Sequence, residues 1–372
     1  MKLNNNQQAF LELVRAGLWE KDACLLQYGN IDFQEVYRLA QEQSVVGLVA
    51  AGLEHIKDIK VYQDYALNIA GEALQLEQRN ISMNYFIGIL VDKMRNADVY
   101  ALLVKGQGIA QCYERPLWRA CGDVDFFLSK NNYIKAKEFL TPLALKIDEE
   151  NTVRRHLGMT IDEWAVELHG TLRGCLWKSL DNVLDEVQEE VFCNGAVRTW
   201  MNDDKQVFLP RADEDVIFVF SHILQHFFQE GIGLRQICDW SRLLWAFKDN
   251  LQLHLLEYRI RKAGIMTEWK VFAALAVGFL GMPAEAMPFY SPKGLWSSKA
   301  DKVMQFILET GNFGHNRDYS YYNKYPYFVY KAISLWRHTK DGFIYITIFP
   351  LDSLKVWCGM IKMGIIEVAR GR

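Results

Sequence analysis

The spacing of hydrophobic and polar residues changes twice along the chain and divides it into three segments. Residues 1–96 carry apolar residues at helical spacing, and so do residues 211–372. Residues 97–210 instead combine short apolar runs of strand length with helical patterns. We therefore predict an α+β protein with a helical N-terminal region, a mixed core and a helical C-terminal region.

Within the mixed core, the stretch from Ala101 to Leu128 predicts a strand, a glycine turn, a helix that ends before Pro116, and a second strand. Asp123 and Asp125 lie two residues apart on the second strand, so their side chains project from one face. Two carboxylates close together on an otherwise apolar strand are typical of a divalent-cation site with oxygen ligands.

The turn in this stretch is Gly106-Gln107-Gly108, and it is expected to present backbone N–H groups at the start of a helix. Such groups favour a bound phosphate. A phosphate site followed by metal-binding carboxylates indicates a protein that handles nucleotides. Because a D-x-D pair also occurs in glycosyltransferases that use sugar nucleotides, that class remains an alternative.

A later run, Glu163 to Leu172, predicts another strand on which Glu167 and His169 share one face. Glu167 can supply a third carboxylate to the cation. His169 can orient a carboxylate or contact a phosphate, or it can be an ordinary strand histidine. The same strand therefore adds one candidate ligand and one residue of open role.

Two histidines of the C-terminal region, His222 and His226, lie four residues apart on one face of a predicted helix. A zinc protease of the H-E-x-x-H type needs a glutamate directly after the first histidine, and this chain has Ile223 there. Hydrogen bonding in the core or between domains is the favoured interpretation of the pair.

Composition and charge exclude several classes of protein. The 372 residues are 50% hydrophobic and carry a formal net charge of −3, which excludes a disordered chain and makes a nucleic-acid partner unlikely. The seven cysteines show no C-x-x-C spacing, so we expect reduced thiols and a cytoplasmic protein. No window reaches the roughly 18 apolar residues of a membrane span, so none is expected.

The order of these motifs resembles a bacterial uncharacterised nucleotidyltransferase-like family within the nucleotidyltransferase superfamily that includes DNA polymerase beta. The elements that carry the resemblance are Lys105-Gly106, Arg119, Asp123-x-Asp125, Glu167-Leu168-His169, and Leu234-Arg235-Gln236 followed by Asp239. The resemblance is most specific over about 101–245. It implies a small mixed sheet flanked by helices.

The resemblance also implies an activity, which is Mg²⁺-dependent transfer of a nucleoside monophosphate from a nucleoside triphosphate to a hydroxyl group. The acceptor is expected to be a small molecule or a protein. The resemblance implies that Asp123, Asp125 and Glu167 are the catalytic residues and hold one or two Mg²⁺ ions. Glu167 could also act as a general base.

Other residues that match the family pattern are assigned to the two substrates. Those expected to bind the nucleotide are Lys105, Gly106, Gln107, Gly108 and Arg119. Those that could bind the acceptor are His169, Arg235 and Asp239.

One position departs from the superfamily, which prefers glycine or serine where this chain has Gln107. The glutamine keeps its backbone N–H, but its side chain is expected to crowd the approach of a triphosphate. A catalytically inactive binding protein with the nucleotidyltransferase fold is therefore the main alternative to an enzyme.

Overall fold

A computed structural model of the protein describes residues 3–318, 320 and 324–369. It confirms an α+β fold, in which helices precede, flank and follow a small mixed sheet. The helices are α1 (Asn5–Trp19), α2 (Phe33–Glu42), α3 (Val46–Glu54), α4 (Gln63–Asn96), α5 (Gly106–Ala110), α6 (Lys130–Leu140), α7 (Lys178–Cys193), α8 (Ala212–Gln229), α9 (Leu234–Ala246), α10 (Leu253–Ala263), α11 (Met266–Leu280), α12 (Gly294–Thr310), α13 (Tyr327–Ile348) and α14 (Pro350–Ala369).

The strands form one five-stranded sheet and one separate hairpin. They are β1 (Leu102–Val104), β2 (Asp123–Phe127), β3 (Lys146–Ile147), β4 (His156–Ile161), β5 (Trp164–His169), β6 (Val197–Asn202) and β7 (Lys205–Pro210). The sheet order is β1-β2-β5-β4-β3, and the hairpin pairs β6 with β7. Only the central pair, β2 with β5, is parallel, and the other neighbours are antiparallel.

The sheet separates two apolar clusters because residues alternate between its faces. Val124 and Phe126 of β2 pack on one side with the second half of α4. Phe127 packs on the other side with α7 and α8. Asp123 and Asp125 share the face of Phe127, so the fold turns both carboxylates towards the C-terminal helices.

The N-terminal helices pack directly on the C-terminal helices. The indole of Trp19 donates a hydrogen bond to the carbonyl of Leu280 at 2.6 Å. The side chain of Gln43 donates to the carbonyl of Ile307 and accepts from the backbone N–H of Leu234, both at 3.0 Å. These buried hydrogen bonds join two regions that are far apart in sequence.

The helix after the glycine turn is shorter than the sequence predicts, because α5 ends at Ala110 rather than continuing to Glu114. Beyond the end of α5, the chain is held by a distant arginine. Arg242 of α9 donates from Nε to the carbonyl of Cys112 at 2.8 Å and from Nη2 to the carboxylate of Glu114 at 2.9 Å. Tertiary contacts to one carbonyl and one side chain thus fix a segment that local sequence favours as helix.

The possible strand pair near residues 197–209 forms as the hairpin β6–β7, which packs beside β1 and α4. Within the part of the chain that the structure describes, no helix combines the length and the apolar character that crossing a bilayer requires.

Candidate active site

Three carboxylates converge on the face of the sheet that looks towards α8 and α9. Asp125 of β2 and Glu167 of β5 are register partners on the two parallel strands, and Asp123 lies two residues before Asp125. One oxygen from each of these side chains lies within 4.8 Å of the others. The structure therefore brings together the three residues that the sequence predicts as metal ligands.

Asp125 is the most deeply buried of the three, with 2% of its surface exposed. Its Oδ1 atom lies 2.7 Å from Nζ of Lys105 and 2.7 Å from Nε2 of His169. Burial lowers the pKa of Lys105, but the negative charges of Asp125, Asp123 and Glu167 outweigh that effect and raise it. Lys105 is therefore a charged ammonium group at the centre of the acidic cluster.

The backbone adopts unusual dihedral angles at Lys105 and Gly106, where β1 leads into α5. Lys105 has φ 56° and ψ −147°, and Gly106 has φ 39°. Left-handed φ values are costly for residues with a Cβ and persist where the surrounding structure enforces them. A Cβ at Gly106 would also lie 3.2 Å from Sγ of Cys121, so this position favours glycine.

Glu167 hydrogen-bonds one histidine and lies beside a second. Its Oε2 atom lies 3.0 Å from Nε2 of His156 and 3.4 Å from Nε2 of His169. Burial raises the pKa of Glu167, but the two histidines and the charge of Lys105 lower it by more, and the net result is a pKa well below the ordinary value. Glu167 is therefore a stable carboxylate that accepts a proton poorly.

This arrangement makes the stability conferred by Glu167 dependent on pH. Because its folded-state pKa lies below the ordinary value of about 4.5, the stabilisation is present above that pH and is lost as the pH falls through the folded-state value. Glu167→Gln is expected to cost about 2 kcal/mol at pH 6. The difference in the free energy of unfolding between wild type and variant should become smaller as the pH falls to 4.

Urea unfolding in the presence of a chelator measures this effect. Glu163→Gln, at an exposed position in the turn between β4 and β5, is the control and should show no comparable difference. If the loss of unfolding free energy in Glu167→Gln stayed constant between pH 6 and pH 4, the stabilisation would not come from the lowered pKa of Glu167.

Asp123 has a different environment, since no described residue donates a hydrogen bond to its carboxylate. The charge of Asp125, burial and the charge of Glu167 raise the pKa of Asp123, while Lys105 and Arg235 lower it. The charge of Asp125 and burial together therefore disfavour the ionised form of Asp123. A donor set of three carboxylates fits a divalent cation with oxygen ligands.

Gln107 lies in the turn but not in the cleft. Its side chain is 1% exposed and donates from Nε2 to Oδ1 of Asn80 on α4 at 2.7 Å. Asn80 in turn donates to the carbonyls of Leu117 and Arg119 at 2.7 Å and 2.9 Å. The glutamine therefore ties the turn to α4 and leaves the approach to the carboxylates free of its side chain.

Gln107→Ser is therefore expected to lower stability without weakening nucleotide binding. The variant removes a donor from a buried hydrogen bond, which should cost about 1–2 kcal/mol of the free energy of unfolding. Thermal unfolding and equilibrium nucleotide binding measure the two effects separately. Gly106→Ala in the same turn is the contrast, because it should weaken binding through backbone strain.

If Gln107→Ser weakened nucleotide binding as much as Gly106→Ala does, the side chain of Gln107 would have a direct role in the cleft. The structure gives it none.

Arg119 and Asp239 form a buried bidentate ion pair across the cleft. Nε and Nη2 of Arg119 donate to the two oxygens of Asp239 at 2.9 Å and 2.6 Å, and both side chains are 6% exposed. The hydroxyl of Tyr113 donates to the same carboxylate at 2.7 Å. This pair holds the loop before β2 against α9, and Asp239 pairs with Arg119 rather than with Arg235.

Arg235 is the cation of the cleft that lacks a carboxylate partner within the described ranges of the chain. Its Nη1 donates to the carbonyl of Ala120 at 3.0 Å, while its buried Nε has no hydrogen-bond partner. Burial and the charge of Arg119 lower the pKa of Arg235, although a guanidinium stays charged. Its guanidinium also lies 5.9 Å from the ring centroid of Phe313. Arg235 is thus placed to bind an anion.

His222 and His226 extend the polar network from the cleft towards solvent. Nε2 of His222 lies 3.4 Å from Nζ of Lys105 and 3.1 Å from Nε2 of His226, whose Nδ1 lies 3.0 Å from Glu230. Burial and the charge of Lys105 hold the pKa of His222 well below its ordinary value, so it is neutral. The histidine pair therefore makes hydrogen bonds between α8 and the turn at Lys105, and it lies beside the site.

Sequence reasoning missed three residues of this site. His156, the cleft-lining role of His222, and Phe313 in the wall opposite the carboxylates appear only in the structure. For His222, the four-residue spacing from His226 was the available signal. The side chains that line the cleft are Lys105, Ile109, Arg119, Asp123, Asp125, Val219, His222, Ile223, Arg235, Gln236, Asp239 and Phe313.

Comparison with known proteins gives one match. A family model described as an uncharacterised nucleotidyltransferase matches residues 29–281, which is more than half of the chain. No curated protein and no solved structure matches the sequence.

Proposed function

The chain belongs to the uncharacterised nucleotidyltransferase family, and from this membership we propose that it transfers a nucleoside monophosphate from a nucleoside triphosphate to a hydroxyl group. The acceptor in this proposal is a small molecule or a protein. The observation that carries the proposal is the convergence of Asp123, Asp125 and Glu167 beside a charged lysine, where Lys105 and the two aspartates line a cleft.

In this proposal Asp123, Asp125 and Glu167 hold Mg²⁺. A bound Mg²⁺ supplies Lewis-acid stabilisation of charge on the transferred phosphoryl group and the leaving pyrophosphate. The charge of Asp125 that raises the pKa of Asp123 supports this assignment, because a cation would relieve it. The low pKa of Glu167 favours a role as a ligand over a role as a general base.

The remaining residues of the cleft bind and orient the substrates. Lys105 lies next to the carboxylates and can exchange Asp125 for a phosphate oxygen, since an ammonium donates three hydrogen bonds. We propose that the backbone N–H groups from Gly106 to Gly108 accompany it at the triphosphate. Arg235 is positioned for a second anionic group, on the nucleotide or on the acceptor, because its guanidinium is charged and lacks an ion-pair partner among the described residues.

Equilibrium binding of non-hydrolysable analogues of the four common nucleoside triphosphates, with and without Mg²⁺, tests the proposal. We expect at least one analogue to bind in the presence of Mg²⁺ and to lose most of its affinity with a chelator. Arg235→Gln should weaken that binding or, if the arginine serves the acceptor, leave it unchanged and lower the rate of transfer. If none of the four analogues bound, the proposed function would be wrong.

One observation favours the alternative of an inactive binding protein. Lys105 and His169 already hold the same oxygen of Asp125, so a metal ion must displace them or use the other oxygen. A protein of this kind would bind a nucleoside triphosphate but release no pyrophosphate. Measurement of pyrophosphate release over a panel of hydroxyl acceptors distinguishes the two functions.

A further inference from the structure

We propose that His156, Glu167 and His169 form a binding site for a transition-metal ion of the Zn²⁺ type, which shares Glu167 with the oxygen-only carboxylate site. The fold places these residues on one face of the antiparallel pair β4–β5. His156 is the register partner of His169, and Gly158 is the register partner of Glu167. Because residues alternate between the faces of a strand, the three side chains lie together.

The distances between the donor atoms suit a single ion. Oε2 of Glu167 lies 3.0 Å from Nε2 of His156 and 3.4 Å from Nε2 of His169. An ion with ligands at about 2.0–2.2 Å from each of these atoms would subtend roughly 90° and 110° between them, within the range of zinc sites. The two imidazole rings are tilted by 51° with centroids 4.9 Å apart, so they converge without stacking.

The ligand types select a different ion from the one proposed for nucleotidyl transfer. Two imidazole nitrogens and one carboxylate oxygen suit zinc and its neighbours in the transition series, whereas carboxylates alone suit magnesium. The site is also accessible, since the side chains of His156 and Glu167 are 36% and 32% exposed while Asp125 is 2% exposed. Three protein ligands with access to solvent leave a fourth position open to water or a substrate atom.

A competing explanation for this cluster is that it binds no ion and that the two histidines only position Glu167. The two explanations differ in what the cluster binds. The proposal goes beyond nucleotidyl transfer, because it concerns an ion-binding property that can be measured without nucleotide or acceptor.

Anomalous diffraction from crystals of the full chain soaked in Zn²⁺, together with titration against a chromophoric zinc indicator, tests the proposal. We expect an anomalous peak bounded by His156, Glu167 and His169. His156→Gln should weaken Zn²⁺ binding by about 100-fold, because it removes one of three protein ligands. The same variant keeps all three carboxylates of the Mg²⁺ site, so its affinity for Mg²⁺ should fall far less than its affinity for Zn²⁺.

His55→Gln is the matched control, since Nε2 of His55 lies 2.7 Å from Glu20, a histidine–carboxylate pair that has no third candidate ligand among the described residues. It should leave Zn²⁺ affinity unchanged. A peak confined to Asp123 and Asp125, no peak at all, or equal Zn²⁺ affinity in wild type and a folded His156→Gln would overturn the proposal. If the wild type bound Zn²⁺ at the histidines but bound neither Mg²⁺ nor a nucleotide, that result would count against the proposed function alone.

Discussion

Asp123→Asn is expected to lower the rate of nucleotidyl transfer on the order of 10³-fold, the effect of losing several kcal/mol of charge stabilisation by a metal ion. The same change should not destabilise the fold. Because the folded-state pKa of Asp123 is raised, its ionised form opposes folding at neutral pH, and a neutral amide removes that repulsion. Pyrophosphate release and thermal unfolding at pH 7 measure the two effects.

A loss of activity with equal or higher stability would separate a functional carboxylate from a structural one. Asp22→Asn, at an exposed position paired with Lys57, is the control and should alter neither quantity. Asp125→Asn is less informative, because it also removes the negative charge that Lys105 and His169 share. If Asp123→Asn retained wild-type activity, the metal site would have to lie elsewhere.

Arg119→Ala is expected to give a large loss of stability, about 3–5 kcal/mol, because it leaves the carboxylate of Asp239 buried without its ion-pair partner. Tyr113 would remain as a donor to Asp239, but a neutral hydroxyl does not replace a bidentate guanidinium. Urea unfolding measures the change.

The control for this prediction is Arg173→Ala, which removes an exposed ion pair with Asp185. Those side chains are 50% and 39% exposed, so the loss should be below about 1 kcal/mol. The double variant Arg119→Met/Asp239→Leu should be more stable than Arg119→Ala, since it leaves no unpaired buried charge. If Arg119→Ala and Arg173→Ala lost the same free energy of unfolding, burial would not strengthen the Arg119–Asp239 ion pair.

The sequence predicted the fold class and the carboxylates of the site for a definite physical reason. Side chains alternate along a strand, so Asp123 and Asp125 had to share a face whatever the rest of the chain did. Glu167 could be named as a candidate ligand from its strand and from the family resemblance, but its place beside Asp125 depends on the parallel pairing of β2 with β5. The assigned roles of these residues remain predictions, as do the domain boundaries near residues 96 and 210.

His156 shows what a stricter use of turn chemistry would have found. Asp162 and Glu163 form a two-residue connection between β4 and β5, and Asp162 has φ 52°. Such a turn fixes the register of both strands, and counting outward from it places His156 opposite His169. The sequence contained this information, but the predicted strand began at Glu163, inside the turn, so its register with the preceding strand was not assigned.

Other contacts could not be predicted from local sequence, because they join distant parts of the chain. The direction of the Gln107 side chain depends on Asn80 of α4. The pairing of Arg119 with Asp239 depends on the approach of α9 to the loop before β2. Local patterns state which residues are polar or buried, and only tertiary packing decides which of them meet.

The attachment of the loop before β2 has a consequence for the evolution and engineering of this protein. Asn80 fastens that loop from the helices before the sheet, and Asp239 fastens it from the helices after the sheet. Residues 97–210 would lose both attachments if they were excised or grafted into another scaffold. The smallest segment that evolution or an engineer could transfer intact must therefore include helices that precede the sheet in the chain and helices that follow it.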